Sequence, residues 1–311
     1  MKVGIIGLGK MGFNLASNML EKNIEVKGYD IDLNVLNKIN NNLLFKNGNF
    51  EFFDELNQFV QSLSAEAAVF LLVPHGEETE KMLDELVNIL PEHIIVIEAG
   101  NSHYKNSQYW YKRYKEKGLF LLDCGTSGGL KGARHGLCTM IGGDKEAYDQ
   151  IEPILKQISQ ENGYLYTGPA GSGHFLKMVH NGIEYGMMQS IAEGFELLNE
   201  SEFEFSYKEV ATLWNSGSVI QSWLMELMIN AFSEDEKLEK ISGVMHASGE
   251  AKWTVETALD LNVPTPIIAL SLMMRNRSLR TDTFSGKVVA SLRQQFGGHA
   301  VVKKEEFEGG E

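Results

Sequence analysis

Near the N-terminus, Gly7-Leu8-Gly9-Lys10-Met11-Gly12 follows the apolar run Val3–Ile6 directly and opens the helical pattern Gly12–Lys22. A strand that turns on glycines into a helix leaves the chain few options. The turn is tight, its backbone stays open to a ligand, and the helix packs close to the strand. The helix N-terminus then presents unpaired N–H groups and the positive end of its dipole, which suits a pyrophosphate. A glycine turn of this kind also occurs without any ligand, so its context decides. Here Asp30 ends the second β-rich run, 21 residues after Gly9. A carboxylate at that place accepts hydrogen bonds from ribose hydroxyls and repels a 2′-phosphate. The pattern predicts a dinucleotide site on Gly7, Leu8, Gly9, Lys10, Met11, Gly12 and Asp30, with Val73 and Pro74 after the third strand.

The first half of the chain continues that alternation. Strands are predicted at 3–6, 25–29, 67–72, 94–98, 119–123, 137–141 and 164–167, with helices at 12–22, 77–90, 104–117 and 145–159 between them. Such alternation implies crossovers and a parallel sheet with helices on both faces. From Gly171 onward helical patterns dominate, at 172–199, 207–214, 219–232, 252–261, 266–280 and 286–296. The predicted architecture is an α/β Rossmann-like N-terminal domain, residues 1–168, and an all-α C-terminal domain, residues 169–302, with a polar tail at 303–311. The active site is expected in the cleft between them. The asparagine-rich stretch 37–49 reads as a solvated loop and helix end.

Charge narrows the partners. Lys and Arg number 28 against 42 Asp and Glu, a net −14, which speaks against nucleic acid and requires local cations for any anionic ligand. No apolar stretch approaches the roughly 20 residues of a membrane span, and the N-terminal run is too short for a signal peptide. Two cysteines, Cys124 and Cys138, are too few for a disulfide framework. A cytoplasmic setting is expected, with both thiols packed as small apolar groups. No metal site is expected.

The helix after Gly173 carries the main anomaly. It is mostly apolar or small, yet Lys177, His180, Asn181 and Glu184 fall at i, i+3, i+4 and i+7, on one face. Burying Lys and Glu is costly unless they are paired or neutralised, so such a stripe points to a site. The alternative is a solvent-facing edge. A desolvated lysine can act as a base near neutral pH and a desolvated glutamate as an acid. Two loops add to this: Asn101 follows the 94–98 strand, and the glycine-rich 125–134 segment, with Ser127, Gly128 and Gly129, follows the next. Both sit where ligands bind in open α/β sheets, although each could be a plain turn.

Together these pieces resemble 6-phosphogluconate dehydrogenase, in the short form of that family. The resemblance rests on 125–143 (GTSGGLKGARHGLCTMIGG), 171–193 (GSGHFLKMVHNGIEYGMMQSIAE), Lys252-Trp253-Thr254 with Val263-Pro264, and 293–299 (RQQFGGH). It implies oxidative decarboxylation of 6-phospho-D-gluconate to ribulose 5-phosphate and CO₂, with Lys177 as general base and Glu184 as general acid. It further implies that Asn101, Ser127, Gly128, Gly129, His180, Asn181 and Tyr185 hold the sugar acid and that Arg275 binds its phosphate. Asn101 also borders the cofactor. Arg293 and His299 would reach in from a neighbouring subunit, giving a homodimer or dimer of dimers with shared sites. The long form has a lysine and a threonine where this chain has Ser248 and Glu250, and an Asn-Arg-Thr run where it has Asp30-Ile31-Asp32. With Asp30, that difference makes NAD the expected cofactor. The alternatives are another NAD-dependent β-hydroxyacid dehydrogenase, 3-hydroxyisobutyrate-like, and a non-catalytic NAD-binding regulator.

Overall fold

The computed structural model describes residues 2–64, 66–298 and 300–302, and the chain divides into two compact units between Ile183 and Glu184. In the first unit β1 (Val3–Ile6) leads into α1 (Lys10–Glu21), then β2 (Val26–Tyr29), α2 (Val35–Asn40), β3 (Phe50–Phe53) and α3 (Leu56–Ser62). These are followed by β4 (Ala68–Leu71), α4 (Glu77–Ile89), β5 (Ile95–Glu98), α5 (Tyr104–Glu116) and β6 (Phe120–Ser127). The unit is completed by α6 (Gly129–His135), β7 (Leu137–Gly142), α7 (Lys145–Ile158), β8 (Ser159–Gly168) and the start of α8 (Ser172–Asn199).

The eight strands form one sheet in the order β3-β2-β1-β4-β5-β6-β7-β8. Side chains alternate across a strand, so the central strands feed two apolar layers. Val3, Ile5, Ala68, Phe70, Ile95 and Ile97 pack with Leu15 and Met19 of α1 and Ile151 and Leu155 of α7. On the opposite face Ile6, Val69, Leu71 and Val96 pack with Phe59, Leu83, Leu86, Trp110 and Tyr114 of α3, α4 and α5. Each fully buried side chain of this size contributes about 1.5–3 kcal/mol. The order reverses at β1 and β4, which places a ligand crevice at their carboxyl ends.

Several details depart from the sequence reading. The sheet is parallel except at β6–β7, which are antiparallel with Asp123 opposite Gly142 and Ser127 opposite Cys138. Only α6 and two flanking glycines join those strands, too short a link for a crossover. Residues 125–127, expected in a loop, complete β6 through that pairing. Cys124 is buried as expected, and burial pushes its thiol pKa up. Cys138, expected to be packed, is instead exposed near the start of β7, between buried Leu137 and Thr139. The stretch 37–49 is more than solvated loop. It contains a 3₁₀ turn, Leu43–Lys46, whose Phe45 stacks on Phe13 at 4.8 Å and meets Phe50 edge-on at 4.6 Å. That anchor leads into β3, a strand missing from the sequence reading.

The second unit holds the rest of α8, then α9 (Tyr207–Trp214), α10 (Trp223–Glu234), α11 (Gly249–Asp260), α12 (Pro266–Ser278) and α13 (Phe284–Gly297). Phe195 of α8 centres its core, 4.8 Å from the Phe232 ring and 5.4 Å from Trp214. Capping side chains set where helices begin. Ser222 accepts the Met225 N–H, so α10 starts at Trp223 and not at the expected Val219. Thr283 likewise accepts the Gly286 N–H and starts α13 at Phe284. Among the described residues no helix is long and apolar enough to cross a membrane.

The Phe45 anchor gives a direct check. Phe45→Ala should destabilise the first unit by about 3–5 kcal/mol, read as a lower denaturant midpoint. A midpoint unchanged from the parent would show that the stretch carries no packing load.

Candidate active site

The glycine turn lies at the carboxyl end of β1. Gly7 has φ 89°, and a Cβ there would sit 2.6 Å from the Leu72 carbonyl oxygen and 3.2 Å from Val73. Around Gly9, by contrast, no described atom beyond its own chain neighbours lies within 4 Å of the place a Cβ would take. That side of the turn is open to a ligand. Among the described residues no side chain of the N-cap position caps α1 and its first turn holds no acidic residue, which suits the leading N–H groups to an anionic ligand. Lys10 is exposed at the first helical position, Met11 is partly buried, and Gly12 packs under the turn. Asp30, at the end of β2, accepts the Leu8 N–H at 2.6 Å on Oδ2 and the Asp32 N–H at 2.8 Å on Oδ1. After β4, Val73 flanks Gly7 and Pro74 accepts a hydrogen bond from Thr79 Oγ1 at 2.8 Å. An open glycine face, an uncapped helix start and a fixed carboxylate fit a dinucleotide.

Lys177 lies further along the same sheet edge. Where α8 crosses β6, a Cβ on Gly125 would run into the Lys177 Cβ and lie 2.9 Å from the Gly173 carbonyl oxygen. Only glycine permits that approach. Lys177 is 7% exposed, and its Nζ donates to Asn101 Oδ1 at 2.9 Å. An amide oxygen accepts from an amine and an ammonium alike, so Asn101 can hold the lysine in either protonation state. One turn on, His180 Nε2 is 3.3 Å from Ser127 Oγ and its Nδ1 is 3.0 Å from Asn181 Oδ1. Gly128 and Gly129, with φ of 107° and 56°, turn the chain from Ser127 into α6.

Beneath this contact lie polar residues that the sequence reading missed. Glu98, Asp123, Ser107 and His174 are each buried to 5% exposure or less. Glu98 Oε1 accepts the Gly100 N–H at 2.9 Å, and Asp123 accepts the N–H groups of Gly171 at 2.6 Å and His174 at 2.9 Å. The available signal was a carboxylate inside two otherwise apolar strands.

In the second unit Glu184 is half-buried on α8, and Tyr185 is buried beside it. The Tyr185 hydroxyl lies 3.0 Å from Ser248 Oγ and accepts the Ser248 N–H at 3.0 Å. The Arg275 guanidinium stacks on the Tyr185 ring with its Cζ 3.4 Å from the centroid, and Nη1 donates to the His246 carbonyl at 3.2 Å. Glu250, one of the two positions that depart from the long form, is buried in the first turn of α11. Arg293 is exposed on α13, and His299 lies outside the described residues.

A dinucleotide cradle and a buried lysine held by an amide at the same sheet edge define a dinucleotide-dependent oxidoreductase. Residues 2–168 match the NAD binding domain of 6-phosphogluconate dehydrogenase, and residues 173–308 match the C-terminal domain of 6-phosphogluconate dehydrogenase. The chain belongs to the 6-phosphogluconate dehydrogenase family. It is 53% identical over 304 residues to YqeC of Bacillus subtilis, provisionally named a 6-phosphogluconate dehydrogenase, covering 98% of this chain and 100% of that one. It is 36% identical over 308 residues to the NAD(+)-dependent, decarboxylating 6-phosphogluconate dehydrogenase of Haloferax volcanii, with coverage of 98% and 100%. Among solved structures, the Plasmodium falciparum 6-phosphogluconate dehydrogenase, described apo, with NADP+ and with 6-phosphogluconate, superposes with a TM-score of 0.83. That match has 29% identity and covers 98% of this chain and 66% of the other.

The tight crossing at Gly125 makes a testable demand. Gly125→Ala should push Lys177 away from Asn101 and lower turnover about 100-fold, with dinucleotide affinity by fluorescence titration unchanged. Turnover equal to the parent would show that the lysine need not sit where it does.

Proposed function

We propose that the chain oxidises and decarboxylates 6-phospho-D-gluconate to ribulose 5-phosphate and CO₂ with NAD+. The observation that carries this reading is the buried Lys177 amine on Asn101, beside the dinucleotide cradle. The nicotinamide, when bound, supplies the acceptor for the C3 hydride. Lys177, entering with its amine unprotonated, takes the proton of the C3 hydroxyl. As an ammonium it then returns that proton to the C3 oxygen while the carboxylate leaves as CO₂, and its amine takes the enediol O–H proton back in the last step, as the ketone re-forms. Glu184 gives a proton to C1 of the resulting enediol. The two groups are seven residues apart on one face of α8, about 10 Å along the axis.

Asn101, Ser127, Gly128, Gly129, His180, Asn181 and Tyr185 are assigned to the sugar acid and Arg275 to its phosphate. Arg275 suits the last task because its fork of donors matches phosphate geometry, and stacking on Tyr185 holds its plane. The domain division at 168/169 and a cytoplasmic setting belong to the same reading. Asp30 favours NAD+, since its carboxylate would face a 2′-phosphate and its neighbour Ile31, 79% exposed, brings no cation. We assign a second copy of this chain to the uncovered helices. Ile267, Leu270 and Met273 of α12 are 58–63% exposed, and Val289 and Leu292 of α13 are each 57% exposed. Apolar faces of that kind mark an interface. Arg293, on α13, and His299 would then enter the neighbour's site.

Incubation with 6-phosphogluconate should yield NADH and CO₂ in equal amounts, with kcat/KM for NAD+ at least about 10-fold above that for NADP+. Reduced nucleotide without CO₂ would favour a simple β-hydroxyacid dehydrogenase, and equal use of NADP+ would remove the role given to Asp30. Glu184→Gln should lower turnover about 10²–10⁴-fold.

Shared sites are tested by mixing. Inactive Lys177→Met chains co-assembled with inactive Arg293→Ala chains should regain part of the activity, because one site in each mixed dimer is built from intact halves. Exchanged mixtures that stay inactive, or a fully active monomer, would contradict the shared site.

A further inference from the structure

The four buried polar residues under Lys177 have no part in the scheme above, yet they connect every element that places it. Glu98 ends β5 and pairs directly with Asp123 of β6 in the parallel ladder. Through its bond to the Gly100 N–H, Glu98 fixes the turn that carries Asn101. A Cβ on Gly100 would sit 2.8 Å from Glu98 Oε1, so the turn closes on the carboxylate without room for a side chain. His174 lies one turn before Lys177 on α8. Its Nδ1 is 2.7 Å from Ser107 Oγ of α5 and 3.5 Å from Glu98 Oε2. Asp123 holds the backbone of the same turn through Gly171 and His174. Glu98 therefore touches both the strand end that orients Asn101 and the helix turn that precedes Lys177.

Packing alone does not account for the imidazole. His174 is 2% exposed, and its Nε2 has no hydrogen-bond partner among the described residues. A buried nitrogen without a partner is costly. What the ring adds is a rigid link between Ser107 and Glu98 across the base of the site.

We propose that His174 and Glu98 are positioning residues: together they hold Asn101 Oδ1 and Lys177 Nζ at the separation from which Lys177 takes its proton. The pair itself touches neither substrate nor cofactor. Their effect reaches the reaction through the turn at Gly100 and through the first turn of α8. This rests on the reading of Lys177 as the base.

The test compares the parent with His174→Phe, which keeps the ring and removes both nitrogens, and His174→Asn, which restores a polar atom near Nδ1. Three quantities are read: kcat and KM for 6-phosphogluconate and NAD+, the isotope effect on kcat with substrate deuterated at C3, and the ¹⁵N signal of the Asn101 side-chain amide. His174→Phe should lower kcat about 10–100-fold, as expected for a small misplacement of a reacting group, with KM for NAD+ within about twofold. Its isotope effect should rise as hydride transfer becomes slower, and the Asn101 signal should move. His174→Asn should recover most of the loss. A lower kcat that only follows the folded fraction, with isotope effect and Asn101 signal as in the parent, would overturn the proposal. Failure of the parent to turn over 6-phosphogluconate would defeat the functional reading alone, and the Asn101 signal would still decide the positioning role. Should His174→Phe not fold, Glu98→Gln is read in the same way, and an unchanged isotope effect and Asn101 signal there would equally overturn it.

Discussion

Taking a lysine amine out of water is costly unless an acceptor meets it, and the architecture of this chain turns on how Lys177 is met. Asn101 supplies an acceptor from 76 residues away in sequence. The contact requires β5 to end where it does, β6 to carry glycine where α8 crosses it, and α8 to start against Asp123. Asp123 also places a negative charge at the start of a 28-residue helix, where the backbone dipole favours it. A lysine that opens this helix on its buried side is thus supported by backbone geometry and not by a single partner.

The sheet edge brings together the residues proposed for catalysis and those proposed for the cofactor. The strands β1, β2, β4, β5 and β6 all run parallel, so their carboxyl ends share one edge. Asp30, the glycine turn, Val73, Asn101 and Ser127 therefore line up in the order of the strands that deliver them. The reversal between β1 and β4 opens the crevice at the turn itself. A chain with net charge −14 can hold an anionic ligand there because the helix N-terminus and a few placed cations act locally.

Much of this was legible in the sequence because the relevant signals are local. The strand–glycine–helix junction predicted β1 and α1, and the 3.6-residue period predicted α8 with its bounds and its polar stripe. What escaped depended on contacts distant in sequence. The strand β3 is only four residues long and is preceded by an asparagine-rich stretch, so its identity rests on pairing with β2 and on Phe45 packing against Phe13. The antiparallel turn of β7 follows from connection length rather than from any pattern within the strand. Glu98, Ser107, Asp123 and His174 looked unremarkable one by one. Only the register that sets Glu98 beside Asp123 and brings α8 over them makes a network of them.

In the proposed reaction the amine of Lys177 moves the proton. Chemical rescue addresses that amine directly: Lys177→Ala is assayed with 6-phosphogluconate and NAD+ in the presence of small primary amines of graded basicity. Turnover should fall by at least about 10²-fold without amine, with dinucleotide affinity unchanged, and should recover in part, increasingly with amine basicity. Turnover in Lys177→Ala close to that of the parent, with no response to added amine, would contradict it.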